Sequence, residues 1–307
     1  MVASNEQLDF FSLSWVWDIL HPNWEMLCDD AGNYLGPVPL ASKFGLSYRL
    51  QPFFIRSLNF ATSSDVSSAE LVPFISSSAR YIQLNFTEVN EFPSSDVGQF
   101  QLLDLQPSIQ KLRADYSTNA KRLLKKIPET FRMETLDSPT EFVSFFKQQK
   151  GEELIGFTEA VWKRLSDLLE GTKQHGHLSI YAMKENDDVI AAGVFISFKG
   201  TCYFLKGTAT PEAKKNGAMY SLLDQVISEM QSTHHSLDFF GSNNEAIAQL
   251  IHPVDRNKKQ ALLAHLIKSN DWKQVLVFTR TKHGANKLVT QLEKDGITCM
   301  AIHGNKS

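Results

Sequence analysis

Apolar and polar positions recur with two different periods along the chain, and the change of period marks its elements. Over the first hundred residues the apolar runs are short. They predict strands over 25–29, 35–41 and 48–61, punctuated by Asp29-Asp30-Ala31-Gly32, Pro37, Pro39 and the turn at 43–45. The serines of 63–68 supply N-cap oxygens for a helix over 69–77, and 81–86 reads as another strand. From 107 to 127 the spacing turns helical, and Pro128 ends it. Two further helices are predicted over 140–150 and 158–170, the second stopping near Gly171. Strands over 178–184, 189–198 and 202–207 then form a meander through the polar turns at 185–188 and Lys199-Gly200. A helix over 212–232 and a strand over 237–240 lead to Gly241-Ser242-Asn243-Asn244, a strand end that either faces a ligand or simply turns.

Beyond Ile251 the texture changes. A helix over 258–268 precedes a buried-strand run at 274–278, a turn with Gly284, a helix over 285–294 stopped by Gly296, and a short strand over 297–302. This β-α-β order is the building block of a parallel sheet. The fold class is therefore α/β (α+β).

Composition narrows the setting. The 307 residues suffice for two ordinary domains. The three cysteines, Cys28, Cys202 and Cys299, are scattered without C-x-x-C spacing. That argues against a disulfide framework or a metal site and predicts a reducing, cytoplasmic setting. The N-terminus has neither a basic region nor a continuous apolar run, so no signal peptide is expected. No stretch approaches the roughly 20 apolar residues of a membrane span, so no membrane partner is expected either. Charge is unevenly divided. From His252 onward there are ten Lys/Arg against four Asp/Glu, leaving 21 basic and 30 acidic residues before it. A basic tail on an acidic body suits a polyanionic partner, unless so short a basic tail arises by chance.

The tail carries dense motifs: Ile251-His252-Pro253-Val254-Asp255-Arg256, then Val275 through Lys287, then Gly296-Ile297-Thr298 and Ala301-Ile302-His303-Gly304. Together they resemble the opening of the C-terminal RecA-like lobe of DEAD-box RNA helicases of the RhlE type. The resemblance implies RNA contacts from Phe278, Arg280, Thr281, Lys282 and Gly304. The physics is compatible, because a strand would deliver these groups to a helix N-terminus that favours phosphate. The alternative is that the threonine caps the helix and the charges are solvated. The chain contains no G-x-x-x-x-G-K-[ST] loop and no Asp-Glu-Ala-Asp motif. No complete ATP site is therefore expected, nor any helicase or ATPase activity of its own.

The body carries a second set: Ser14-Trp15, Asp18-Ile19, Asn23-Trp24, Pro37-Val38-Pro39-Leu40, Gln51-Pro52-Phe53, Tyr116-Ser117-Thr118-Asn119-Ala120-Lys121-Arg122 and Leu237-Asp238-Phe239-Phe240-Gly241-Ser242. Over about 8–250 these resemble the FemABX-like branch of the GNAT acyltransferases. The resemblance implies two tandem GNAT-like mixed-sheet halves, 1–105 and 106–250, followed by the partial RecA-like fragment 251–307. It also implies an acyl-CoA or aminoacyl-tRNA donor and an amine acceptor of unknown identity. The family's pyrophosphate loop, [R/Q]-x-x-G-x-[G/A], corresponds to Lys214-Lys215-Asn216-Gly217-Ala218, with Met219 replacing the last small residue.

Acyl transfer needs a deprotonated amine and a polarised carbonyl. Asp238 and Tyr203 are the candidates for general acid/base work, against the alternatives of a turn cap and a core residue. The basic stretch Lys121, Arg122, Lys125 and Lys126 suits a phosphorylated donor or tRNA, or a solvated face. His234-His235 reads as a helix C-cap rather than a metal site. The change of texture at about 248–251, with a halt inside a motif at Ser307, is what a fusion of two incomplete genes by rearrangement or assembly error would leave. The alternative is a working chimera whose tail tethers a transferase to RNA.

Overall fold

The computed structural model describes residues 8–28, 34–43, 46–60, 75, 79, 81–84, 101–154, 157–240, 264 and 282–301. The first part opens with a 3-10 turn, Phe10–Ser12, and helix α1, Ser14–Leu20. Strands β1 (Trp24–Cys28) and β2 (Tyr34–Pro39) form an antiparallel pair. A second small sheet joins β3 (Ala41–Lys43), β4 (Leu46–Leu50) and β5 (Tyr81–Gln83). Arg49, almost fully buried, ties the two sheets together. It donates to Pro39 O and to Glu25 Oε2, both at 2.7 Å. The strand predicted over 48–61 stops at Leu50, because Pro52 has no N–H to give a ladder and Phe54 takes a left-handed φ of 66°. Most of the helix predicted over 69–77 lies outside the described residues.

The second part is a mixed six-stranded sheet. Its strands are β6 (Leu102–Asp104), β7 (Arg132–Thr135), β8 (Leu178–Glu185), β9 (Asp188–Phe198), β10 (Thr201–Ala209) and β11 (Ser236–Asp238), in the order β6-β11-β10-β9-β8-β7. β10 and β11 run parallel, and every other pair is antiparallel. The predicted meander is present as β8-β9-β10. Leu102–Asp104 lies on the first side of the boundary placed near 105, yet it extends the edge of this second sheet.

The helices depart from the predicted spans where a local hydrogen bond or a glycine decides. The single helix expected over 107–127 is two, α2 (Ile109–Asp115) and α3 (Thr118–Leu124). Tyr116 is extended between them, and Ser117 Oγ accepts from Ala120 N–H at 3.1 Å to start the second. Helix α4 (Pro139–Lys150) is started by Ser138 Oγ, which accepts from Glu141 N–H, with Pro139 in the first turn. Helix α5 (Glu159–Gln174) passes through Gly171 instead of ending there. A Cβ at that position would stand 3.0 Å from Ile19 and 3.1 Å from Trp15, so the bare backbone is what lets α1 lie against α5. The helix expected over 212–232 breaks into α6 (Pro211–Lys215) and α7 (Ala218–Met230), because Gly217 turns left-handed at φ 80°.

The two faces of the six-stranded sheet carry two cores. One face, with Ile180, Ala182, Val194, Tyr203 and Leu205, packs on α4, α5 and the first part's Phe10, Phe11, Val16 and Trp17. The buried Trp17 indole donates to Phe11 O at 2.7 Å, so its one polar atom is satisfied. The other face, with Cys202, Phe204, Phe195 and Met183, packs on α2, α3 and α7. In the tail, helix α8 spans Lys282–Lys294, beginning before the predicted 285. Gly296 at φ 73° lets Ile297 N–H reach Leu292 O, closing the helix. Residues 297–301 form no strand, which corrects that part of the predicted β-α-β unit, and its other strand, 274–278, lies outside the described residues.

Candidate functional site

β10 and β11 pair only over their first three residues, Thr201 with Ser236, Cys202 with Leu237 and Tyr203 with Asp238. Beyond Tyr203, β10 continues to Ala209, whereas β11 ends and Phe239 N–H turns to Gln101 O. Among the described residues, the far half of β10 therefore has β9 on one side and no strand on the other. The sheet forks at the two residues singled out for acid/base chemistry.

At the base of the fork lies a buried polar cluster that joins both parts of the chain. Asp238 Oδ1 accepts from Arg56 Nη1 at 2.5 Å and from Phe240 N–H at 2.8 Å. Asp9, deep in the same region, accepts from Ser12 Oγ at 2.8 Å. Burial pushes the Asp9 carboxyl above its ordinary range, against the smaller opposing pull of Ser12 and Arg56. Burial likewise drives the Tyr203 phenol up, and the nearby Asp9 and Asp238 charges add to that. Phe11 closes the cluster, edge-on to Tyr203 and 4.5 Å from Phe240, whose ring also carries the Arg56 guanidinium at 5.5 Å. The structure thus brings Asp238 and Tyr203 together. It adds Arg56, whose partner Asp238 is 182 residues away, and Asp9, whose only local sign is its hydrogen bond to Ser12.

Further along β10 the ladder slips. Phe204 faces Phe195 and Lys206 faces Val194, leaving Leu205 as the extra residue of a bulge. Lys206 and Thr208 follow, opposite Val194 and Ala192, so both side chains belong to the face that carries Tyr203. Burial pulls the Lys206 amine below its ordinary value. Thr208 Oγ1 is buried with no hydrogen-bond partner among the described residues. Sequence reading missed both, although a lysine inside an otherwise apolar strand was the available signal.

The loop likened to a pyrophosphate site follows β10 directly. Lys214, Lys215 and Asn216 are exposed, while Gly217 and Ala218 are buried at the start of α7. A Cβ on Gly217 would stand 3.0 Å from Leu123 Cβ, so this glycine serves both a left-handed turn and close packing against α3. α3, which carries the exposed Lys121 and Arg122 and is followed by the exposed Lys125 and Lys126, thus packs at the turn that follows the exposed Lys214 and Lys215. Arg122 donates to Asn119 Oδ1 at 2.8 Å, and Asn119 Nδ2 to the Tyr220 hydroxyl at 3.4 Å, which holds α3 on α7.

His234 is held by Ser197 Oγ at 2.9 Å and Thr233 Oγ1 at 2.8 Å, and its backbone N–H caps α7 through Met230 O. Of the tail residues named for RNA contact, Phe278, Arg280, Thr281 and Gly304 lie outside the described residues, and Lys282 opens α8. Among the described residues, no helix is long and apolar enough to cross a membrane.

The family model described as "Acetyltransferase (GNAT) domain" matches residues 110–246, just under half of the chain. The crystal structure of FemX superposes with a TM-score of 0.53 at 11% identity, over 81% of this chain and 90% of that one. At that identity the likeness is one of fold: the chain has a GNAT/FemX-like acetyltransferase fold with a mixed sheet. Two curated proteins share shorter stretches. ATP-dependent RNA helicase dbp2 of Schizosaccharomyces pombe is 38% identical over 88 residues, 27% of this chain and 16% of the helicase. DEAD-box ATP-dependent RNA helicase 20 of Arabidopsis thaliana is 35% identical over 65 residues, 21% of this chain and 13% of the helicase. The chain thus spans about a sixth or less of the curated relatives it matches.

Proposed function

We propose that the body of this protein transfers an acyl group from acyl-CoA to an amine, with the thioester placed at the fork between β10 and β11. The observation that carries this reading is the fork itself. A strand edge that no described strand covers over 204–209 offers backbone N–H and C=O groups to the amide-bearing arm of CoA. The exposed Lys214 and Lys215 before α7, with Lys121 and Arg122 on the helix packed at Gly217, would supply charge for its phosphates. The bulge at Leu205 interrupts the ladder where a carbonyl oxygen would need a backbone donor. Tyr203 sits at the branch point, and its phenol, protonated at neutral pH as an ordinary tyrosine is, can donate a hydrogen bond there. Asp238, already engaged by Arg56 and Phe240 N–H, acts by holding that branch in place. Residues 1–105 are read as the reduced first half of a tandem pair, a reading supported by the span of the FemX likeness.

Titration with acetyl-CoA tests this, followed by calorimetry and thermal unfolding. Saturable binding with a raised melting temperature supports the reading. No response to acetyl-CoA, CoA or longer acyl-CoAs removes it, and aminoacyl-tRNA then becomes the donor to try.

The partial helicase likeness favours a second reading for the tail, in which 251–307 contributes RNA contact without ATP hydrolysis. Salt-dependent RNA binding that disappears on deletion of 251–307 would support it, and unchanged binding would refute it.

A further inference from the structure

Lys206 stands apart from every other lysine described in this chain. It is flanked by Leu205 and Gly207 in a strand whose neighbours Val194 and Ala192 are fully buried. Desolvation lowers its amine pKa, and among the described residues no carboxylate or hydrogen bond opposes it. The other lysines whose surroundings are known point to solvent or hold a partner: Lys147 pairs with Glu159, Lys150 with Glu153, Lys163 with Asp167 and Lys184 with Glu134. Two residues on, and on the same face, Thr208 is 3% exposed and its hydroxyl has no hydrogen-bond partner among the described residues. An amine in apolar surroundings is held towards its neutral, nucleophilic form. A buried hydroxyl without a partner is an unspent donor for whatever oxygen arrives beside it. Both lie just past the bulge, on the stretch of β10 that β11 leaves uncovered.

We propose that the ε-amine of Lys206 is an acylation site, taking an acyl group from a thioester bound in the fork. The inference rests on the acyl-donor reading given above. In the step, Lys206 Nζ attacks the thioester carbonyl, the N–C bond forms and the C–S bond breaks. CoA leaves as thiolate and takes up the proton that the amine loses, so the products are an amide and a free thiol. The amide is stable. The modification therefore converts the one ionisable group on this stretch into a neutral side chain, and it occurs when no acceptor amine intercepts the acyl group.

The test is site-resolved mass spectrometry of the full chain after incubation with acetyl-CoA, using acetic anhydride as a donor that needs no binding site. Lys206 is expected to acquire the acetyl group from acetyl-CoA at least about tenfold faster than the exposed Lys214 and Lys215. It should also react readily with the anhydride. Lys206→Arg should lose this modification and leave the labelling of other lysines unchanged. Acetylation of Lys206 by acetyl-CoA no faster than that of Lys214 and Lys215 overturns the inference, whatever the anhydride does. A parallel calorimetric titration with desulfo-CoA separates the two failures. If the analogue binds while Lys206 stays unmodified, the donor reading stands and the lysine is misassigned. If it does not bind, both fall.

Discussion

Arg56 and Asp238, 182 positions apart, meet in one hydrogen-bonded ion pair between the first part of the chain and the strand at the fork. Their side chains are 16% and 8% exposed. Removing one partner leaves the other charge buried, which typically costs about 3–5 kcal/mol. Arg56→Ala should therefore lower the urea midpoint strongly, and Asp238→Asn should do so less, because the amide oxygen still accepts from Phe240 N–H. Replacing both with apolar residues of similar volume should recover much of the loss. Chemical denaturation of the three variants checks the order.

Asp9 gives stability a pH dependence of known sign. Its carboxyl pKa is raised by burial in the folded chain. The folded state thus holds the proton more tightly than the unfolded one. The associated stability is fully present below the unfolded value of about 3.9 and is lost as pH rises through the higher folded value. Asp9→Asn should flatten the fall of stability over that interval and leave the protein more stable at neutral pH. A pH series of thermal unfolding curves for the two proteins measures this, and parallel curves would count against it.

Gly217→Ala should destabilise by about 1–2 kcal/mol from its left-handed backbone alone. The new Cβ would add a clash, since its position is 3.0 Å from Leu123 Cβ. Combining it with Leu123→Gly, which removes that Cβ, separates the contributions. Against the Leu123→Gly background the substitution should cost less, because the contact with Leu123 is gone and the backbone part remains.

The exposed lysines before α7 have a charge signature. Lys214→Ala and Lys215→Ala should each weaken acetyl-CoA binding about two- to fivefold at low salt, with the difference shrinking as salt rises. Calorimetry at two ionic strengths checks both the size and the trend. Equal losses at both strengths would point to lost packing instead of lost charge.

Much of this was legible in the sequence, and the failures have a common cause. The meander could be read because Leu178–Glu185, Asp188–Phe198 and Thr201–Ala209 are long and bounded by strong turns. Two edge strands were missed. Arg132–Thr135 and Leu102–Asp104 are short and largely exposed, so they show no alternation. Glycine was the least readable signal: Gly171 lies within a continuous helix and admits Trp15 and Ile19, whereas Gly217 turns left-handed and breaks one. Asp238 and Tyr203 could be named from a strand end and an aromatic, but Arg56 and Asp9 could not. The Arg56–Asp238 ion pair spans most of the chain and leaves no local trace, and the Asp9–Ser12 hydrogen bond reads in sequence as an ordinary turn.

The sheet's first-part face has a consequence for how this chain can change over generations. Phe10, Phe11 and Trp17 share one core with Tyr203 and Leu205. The opening segment is therefore the lining of the later sheet and not a separable appendage. A crossover that exchanged the first hundred residues for those of a distant homologue would expose that lining unless matching aromatic side chains came with it. The two stretches must be inherited as a pair, and compensating substitutions should track one another across the gap between them.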